Sequence, residues 1–337
     1  MSVRKIGTMA AATACTLALI AGCGTTTSAD KGSSGAPQQQ PKCGGPNGKY
    51  KIGVSQANVA EPYRERMDED IKKYAKKLLP QVTDVDVQDG QQNNAKQRDD
   101  VNNFITKKVD LLIISPNEAA PLTQAVKDAY NKGIPVIVLD RKVNGDQYTS
   151  FIGGDNKDIG KQAGQFVASK LLTSGGKVGE IRGLDGSTPA KERSDGFKEG
   201  IQGKKIDVVE SQSGEWVRDK AQQKAEAMFK AHPDIQVMFA QGDPMAEGAY
   251  LAAQSAGLKN VKFVGIDGLP IPSGGIKAVE AGRLAATFVY PTGGKEAIEA
   301  AKKFLVDCKP VPKNQTLPTQ QVTKENAAQV YTKLNQG

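Results

Sequence analysis

The stretch Pro135-Val-Ile-Val-Leu-Asp-Arg141 decides how this chain is read. Four apolar residues, most of them β-branched, run directly into an acid and a base. A continuous apolar run of this length, just after Lys132-Gly133-Ile134, predicts a strand buried on both faces of a parallel sheet. Its C-terminal end presents Asp140 and Arg141 side by side. Open α/β sheets bind ligands in the crevice beyond the carboxyl ends of their strands. The strand is therefore expected to hold a charged, hydrogen-bonding tip over a cleft. An ordinary strand exit with a surface ion pair looks the same in isolation, so the other strands must decide.

Working outward, short apolar runs alternate with helical stretches from Tyr50 onward. Strands are expected over 50–57, 82–87, 110–115 and 135–141, with helices over 62–79, 94–108 and 118–132 between them. A second series of strands follows at 149–153, 177–184, 206–211, 235–241, 262–265 and 284–290. Its helices fall near 157–172, 188–200, 217–232, 245–256 and 273–281. Alternation repeated this often is the signature of doubly wound parallel sheets. The fold class is α/β, in two similar doubly wound parallel-sheet lobes.

The strand ends share a character. They lead to Ser55-Gln56 with Asn58, Glu61, Tyr63 and Arg64, to Asp89-Gly90-Gln91-Gln92, to Ser115-Pro116-Asn117 and to Asp140-Arg141. The second series leads to Gly154-Asp155-Asn156, Asp185-Gly186-Ser187, Glu215-Trp216, Gln241-Gly242-Asp243 and Asp267-Gly268. The opposite connections, such as Asn131-Lys132-Gly133, are short and poor in such groups. That asymmetry places the specific chemistry at the C-terminal edges, facing one crevice.

The candidate set holds Tyr63 and Trp216, the latter the only Trp, with Arg64, Arg141 and Arg193 against Asp140, Asp243 and Asp267. Aromatic faces cover the C–H face of a sugar ring, while Arg and carboxylate groups pair with hydroxyls as donors and acceptors. Equal numbers of each sign favour a neutral polyhydroxylated ligand over an anionic one. Blander roles exist for each: helix-start packing for Trp216, a solvated pair with Glu192 for Arg193, a hydrophobic staple for Tyr63.

The 337 residues are 38% apolar and 24% charged, which is ordinary globular composition and enough for two domains. The first 22 differ. Arg4 and Lys5 precede a largely apolar run to Ile20, and Ile20-Ala21-Gly22-Cys23 closes it. That layout predicts a secretory signal, too short for a spanning helix. Its small-small-Cys ending looks like a bacterial lipobox, with Cys23 as the lipidated first residue. The following residues, to about 45, read as a flexible tether. The protein is expected outside the cell, anchored by lipid to the outer face of the cytoplasmic membrane. With Cys15 removed and Cys23 lipidated, Cys43 and Cys308 remain, both expected at the N-terminal edge of the sheet. An oxidising compartment permits a bridge between them; the alternative is two free thiols, and their Cα separation decides.

The net charge of +8 does not indicate nucleic acid. Without Arg4 and Lys5, 43 bases face 37 acids, and lysines such as Lys72, Lys73, Lys76 and Lys77 mix with acids on helix surfaces. No metal or cofactor motif is present: Asp84-Val-Asp86 reads as strand alternation, not a calcium loop.

Six segments together resemble the type I periplasmic sugar-binding proteins of ABC importers, in the ribose- and galactofuranose-binding branch. They are Val138–Arg141, Gly154-Asp-Asn156, Pro189–Phe197, Ser211–Arg218, Phe239–Asp243 and Val264–Gly268. The resemblance runs from about Lys51 to the C-terminus. It implies lobes of 46–153 with 291–317 and 154–290 with 318–337, joined by a three-segment hinge. It also implies a monosaccharide ligand (furanose, pentose or hexose), an ABC permease as partner, a monomer and no enzymatic activity. Carried over by position, Asp140, Arg141, Arg193 and Asp267 bind ring hydroxyls and Trp216 supplies a stacking face. Tyr63 with Arg64 and the Asp89–Gln92 segment match the galactofuranose type. Asn58, Gln91, Asp243 and Tyr290 complete the expected ligand set. Gly242, where these proteins usually carry an Asn, and Tyr290, where ribose binders have a Gln, depart from the ribose pattern.

Rival readings have weaker support. No Gly-x-Ser-x-Gly elbow, phosphate loop or His-Glu-x-x-His motif occurs, and His232 is the only histidine. A secreted carbohydrate-active enzyme would have to rely on Asp140 with Asp267 as its carboxylate pair. A repressor's effector domain would need a DNA-binding helix pair where the signal lies. An input subunit for a membrane sensor kinase is indistinguishable by sequence.

Overall fold

The structure, a computed structural model, describes residues 43–336. The expected signal (1–22), Cys23 with its expected lipid, and most of the expected tether (23–45) lie outside them.

A first sheet is built from β1 (Tyr50–Gln56), β2 (Val82–Asp89), β3 (Leu111–Ile114), β4 (Val136–Leu139), β5 (Ser150–Gly154) and β11 (Asn314–Leu317). The strands lie in the order β11-β5-β4-β3-β1-β2, and every neighbouring pair is parallel. The helices α1 (Pro62–Leu78), α2 (Asn94–Lys107), α3 (Ala119–Asn131) and α9 (Gly294–Leu305) cover it. Period-2 alternation sends the apolar side chains of each strand to two cores. Leu111, Ile113, Ile137 and Leu139 join Met67, Ile71 and Phe304 of α1 and α9 on one face. Leu112, Ile114, Val136 and Val138 join Phe104 and Leu122 of α2 and α3 on the other. Burial on both faces is why β3 and β4 read as unbroken apolar runs.

The second sheet comprises β6 (Gly176–Arg182), β7 (Ile206–Ser213), β8 (Val237–Ala240) and β9 (Lys262–Val264), in the parallel order β7-β6-β8-β9. Two parallel bridges, Val264 to Ala286 and Asp267 to Val289, bring β10 (Thr287–Val289) alongside β9. An antiparallel strand, β12 (Gln320–Val322), finishes that edge. Its helices are α4 (Asn156–Phe166), α5 (Thr188–Gly200), α6 (Arg218–Ala231), α7 (Asp243–Ser255), α8 (Gly275–Glu280) and α10 (Ala327–Asn335). Again the strands alternate: Val178, Val237 and Phe239 belong to the core with Phe197, while Ile181, Met238 and Ala240 join Met228 and Met245.

Glycine sets how closely α4 and α5 approach. A Cβ on Gly160 would lie 2.2 Å from the Arg193 carbonyl oxygen, and one on Gly196 only 1.9 Å from that of Lys157. The two backbones touch where any larger residue would separate them. This contact fixes the height at which α5 presents Arg193.

The chain passes between the sheets three times: after β5, between β10 and α9, and between β11 and β12. Strand 149–153 was expected to open the second series, but β5 pairs with β4 and β11 and closes the first sheet. Helix–strand alternation cannot reveal this, because β4 and β5 are joined by a loop without a helix. At the N-terminal edge Cys43 and Cys308 are bonded, with Cα atoms 5.2 Å apart. Gly45 N donates to Leu305 O and the Tyr50 hydroxyl to the same carbonyl, securing the start of the described chain to the end of α9.

Candidate functional site

The C-terminal edges of the two sheets face each other across a cleft, and the side chains named above as strand-tip groups converge there. Strand β4 stops because Asp140 turns to φ +66°, with Asp140 N donating to Ile152 O and Arg141 N to Leu139 O. A continued strand would send neighbouring side chains to opposite faces. The left-handed turn instead brings both Asp140 and Arg141 to one tight cavity of about 30 Å³. Tyr63, Arg64 and Glu61 reach it from the start of α1, and Pro189 and Arg193 from α5. Trp216, Gly242, Pro244 and Asp267 complete the wall.

Three of these residues have left-handed backbones without being glycine: Asp140, Trp216 at φ +67° and Asp267 at φ +132°. Such conformations cost of order 1–3 kcal/mol each and persist where surrounding structure imposes them, chiefly at functional sites.

The charges are ordered. Arg64 Nη2 stands 2.6 Å from Asp140 Oδ2, and its Nη1 donates to Ser115 Oγ at 2.7 Å. Arg141 Nη1 donates to the Asn117 carbonyl at 3.1 Å. Arg193 donates through Nε to Asn156 Oδ1 and through Nη1 to the Gln241 carbonyl. Gln241, fully buried, donates in turn to Glu180, Ser194 and the Ala190 carbonyl. Each guanidinium is therefore oriented from behind.

Burial alone would raise the Asp140 carboxyl, but Arg64, Arg141 and Arg193 outweigh it and hold that group below the usual carboxylate range. Arg141 is pushed down to about 10 by burial and by the neighbouring Arg64. Asp267 is lifted to about 7 by burial, against the pull of Arg193. Asp140 is thus a charged acceptor at neutral pH, whereas Asp267 titrates near it.

Some donors remain uncommitted. Arg64 Nε, Arg141 Nε and Trp216 Nε1 are buried without a hydrogen-bond partner. Buried polar groups are almost always satisfied, so three unmet N–H groups on one cavity wall fit a ligand rich in oxygen acceptors. The guanidinium carbons of Arg141 and Arg193 lie 5.4 and 5.5 Å from the Trp216 ring centroid.

Not every expected residue reaches this cavity. Asp243 was expected in the ligand set but faces away: Thr287 Oγ1 donates to its Oδ1 and Gly268 N to its Oδ2, both at 2.7 Å. Its carboxylate is enclosed between the chain at Gly265 and Gly275, where an added Cβ would collide with it. Burial and the nearby Asp267 raise it well above the ordinary range. Tyr290 also lies off the wall. It is buried behind it, accepting from Asn156 Nδ2 at 3.1 Å, with its ring 4.7 Å from the Arg193 guanidinium carbon. Asn58 and Gln91 border a separate outer space of about 710 Å³ at the mouth of the cleft. Asn58 Oδ1 is taken by the Ala60 and Glu61 amides. Conversely, Glu61 was quoted among the strand-end residues yet not selected, and it lines both spaces. With Glu61 in place of Asp243, three acids still face three arginines.

Above the cavity the two halves touch directly. Ala119 N donates to Gly186 O and Lys142 N to Thr188 Oγ1, each at 3.0 Å, and Lys142 Nζ lies 2.7 Å from Glu192 Oε1. Among the described residues there is no cluster of three metal-ligating side chains, and no helix is long and apolar enough to cross a membrane.

Residues 52–307 match the family model for the periplasmic binding protein domain. The ribose import binding protein RbsB of Escherichia coli is 36% identical over 259 residues, covering 76% of this chain and 85% of that protein. Among solved structures, the fructose-binding periplasmic domain of a hybrid two-component system is 39% identical with a TM-score of 0.81, covering 85% of this chain and 95% of that one. A Mycobacterium smegmatis protein solved in complex with β-D-fucofuranose is 30% identical with a TM-score of 0.79, at the same coverage.

Proposed function

From the premise that the chain belongs to the periplasmic binding protein domain family, whose members matched here are solute-binding proteins and not enzymes, we propose that it is an extracytoplasmic receptor for a neutral monosaccharide. The observation that carries this reading is the buried constellation of Arg64, Asp140, Arg141, Arg193, Asp267 and Trp216 around one cavity, contributed from both sheets. Matched charges disfavour an anionic ligand, and unmet N–H donors beside an ionised Asp140 suit vicinal hydroxyls, which accept from one and donate to the other. Relatives named for ribose and fructose, and one solved with a furanose, support a furanose, pentose or hexose.

In this reading the lobes are 46–153 with 291–317 and 154–290 with 318–337. A ligand that touches both shifts the open–closed equilibrium by its difference in affinity for the two states. The closed form is the output. An ABC permease reads it and takes the sugar, while lipid on Cys23 keeps the monomeric receptor at the outer face of the cytoplasmic membrane. The likeness to a two-component sensor domain at 39% identity favours one second reading, a sugar-sensing input to a membrane kinase. Deletion of the gene separates them: transport predicts lost uptake, sensing predicts lost transcriptional response with uptake intact.

The direct test is a thermal-shift screen of the purified protein against pentoses, hexoses and polyols. A ligand at a hundredfold excess over Kd adds about 2.7 kcal/mol of apparent stability. At least one neutral sugar should raise the melting temperature, and Arg193→Ala should abolish the rise. A panel without a hit refutes the proposal.

A further inference from the structure

The cleft holds more than the cavity just assigned. Outside Trp216 lies the second space, of about 710 Å³, against about 30 Å³ for the inner one. The outer one falls within the range of volumes typical of small-ligand sites. Glu61, Trp216 and Pro244 border both, so the two spaces meet at these side chains. The function proposed above uses only the inner cavity. The outer one has no role in that account, yet it collects the sequence segment that stood out and never reached the inner wall: Asp89, Gln91 and Gln92.

We propose that the outer space is a second saccharide subsite, so that the receptor accepts a disaccharide or glycoside with one ring in the inner cavity and a neutral second unit outside Trp216. This rests on the carbohydrate reading of the inner cavity. The outer space is walled from both halves of the molecule: Asn58, Glu61 and Gln91 on one side, Arg218, Asp219 and Ser273 on the other. A second unit there would therefore add contacts that exist only when the cleft is shut. Asn58 and Gln92 donate to Glu61, but the Gln91 side-chain amide, the Arg218 guanidinium and the Ser273 hydroxyl make no hydrogen bond among the described residues and are open to a ligand. Arg283 is already paired with Glu247 at 3.0 Å. The remaining acids, Glu61, Asp89 and Asp219, outnumber Arg218, which disfavours a phosphate or uronate and suits a neutral sugar. Trp216, with an indole accessible from the outer side, offers an apolar surface on which such a ring rests.

The experiment is a titration calorimetry series on the purified protein with D-ribose, D-fructose, D-galactose and D-glucose, and with disaccharides built from those hexoses (sucrose, lactulose, lactose, maltose). At least one disaccharide should bind about tenfold tighter than either of its component sugars. Ala60→Trp, which places a bulky side chain in the outer space, should remove that advantage while moving the best monosaccharide Kd by no more than about twofold. Arg218→Ala should act in the same direction, and retained monosaccharide binding shows that each variant is folded. Disaccharides that bind no better than their components, or variants that weaken both classes alike, overturn the outer subsite and leave the inner one standing. Failure of every sugar, short and long, refutes the carbohydrate reading and this inference with it.

Discussion

Replacing Asp267 by Asn should stabilise the unliganded protein above pH 7 and not below pH 4. Burial lifts this carboxyl to about 7 in the folded chain, whereas in the unfolded chain it titrates near 3.9. The folded state therefore holds the proton more tightly. The stability this group contributes is fully present below about pH 4 and is lost as pH rises through about 7. A difference of roughly three pH units corresponds to a ceiling of about 4 kcal/mol. Asp267 retains partial exposure to the cleft and Arg193 lies near it, so screening reduces the expected figure to about 2 kcal/mol. For a chain of this size that is a rise of about 3 °C in melting temperature. Scanning calorimetry of both proteins from pH 4.5 to 8.5 measures it, because other titrating groups cancel in the difference. The Asn variant should gain steadily from pH 4.5 to 7 and then hold its advantage. A difference that stays flat with pH, or a variant less stable than wild type at pH 8, refutes the reasoning. The bound sugar supplies a second readout: a hydroxyl that donates to Asp267 favours the ionised carboxylate, so wild-type affinity should rise with pH through 7, and the variant should lose that slope.

Other expectations follow from single contacts. Asp140→Ala leaves Arg64 buried without its counter-ion and should cost about 3–5 kcal/mol in urea denaturation; a loss under 1 kcal/mol would mean that Arg64 is satisfied elsewhere. Replacing Cys43 and Cys308 by Ser opens a link between positions 265 residues apart and should lower stability by about 2–5 kcal/mol, measurable as a lower denaturant midpoint than that of the oxidised wild type and one that the reduced wild type shares. Gly196→Ala puts a methyl 1.9 Å from the Lys157 carbonyl oxygen and should destabilise by about 1–3 kcal/mol, while weakening sugar binding through displacement of Arg193. Lys142→Ala removes a link across the mouth to Glu192; small-angle scattering should show a larger radius of gyration without sugar and an unchanged one at saturation.

The run Val136–Leu139 and its counterparts carried the fold in the sequence itself, because a strand buried on both faces has to be apolar at every position. The charged tips were legible for a related reason: polar residues that break such runs mark the C-terminal edges where parallel sheets bind ligands. Asp140, Arg141, Trp216 and Asp267 could be picked out on that basis, while Arg193 lies inside the helix that follows such a tip. Sequence could not say which way each side chain would turn. Asp243 and Asp267 are equally polar ends of neighbouring strands, yet Asp243 is consumed by Thr287 and Gly268 while Asp267 faces the cavity. Glu61 and Asn58 sit three residues apart, and only Glu61 reaches the inner wall, because Asn58 is spent on the turn that starts α1. The placement of β5 in the first sheet and the antiparallel β12 beside β10 depend on pairings between distant segments. Local pattern records what a residue can do and which faces of its element are buried. Its partners are set by chain segments far away in sequence, and only when these have packed does a polar tip become either a strut or a ligand contact.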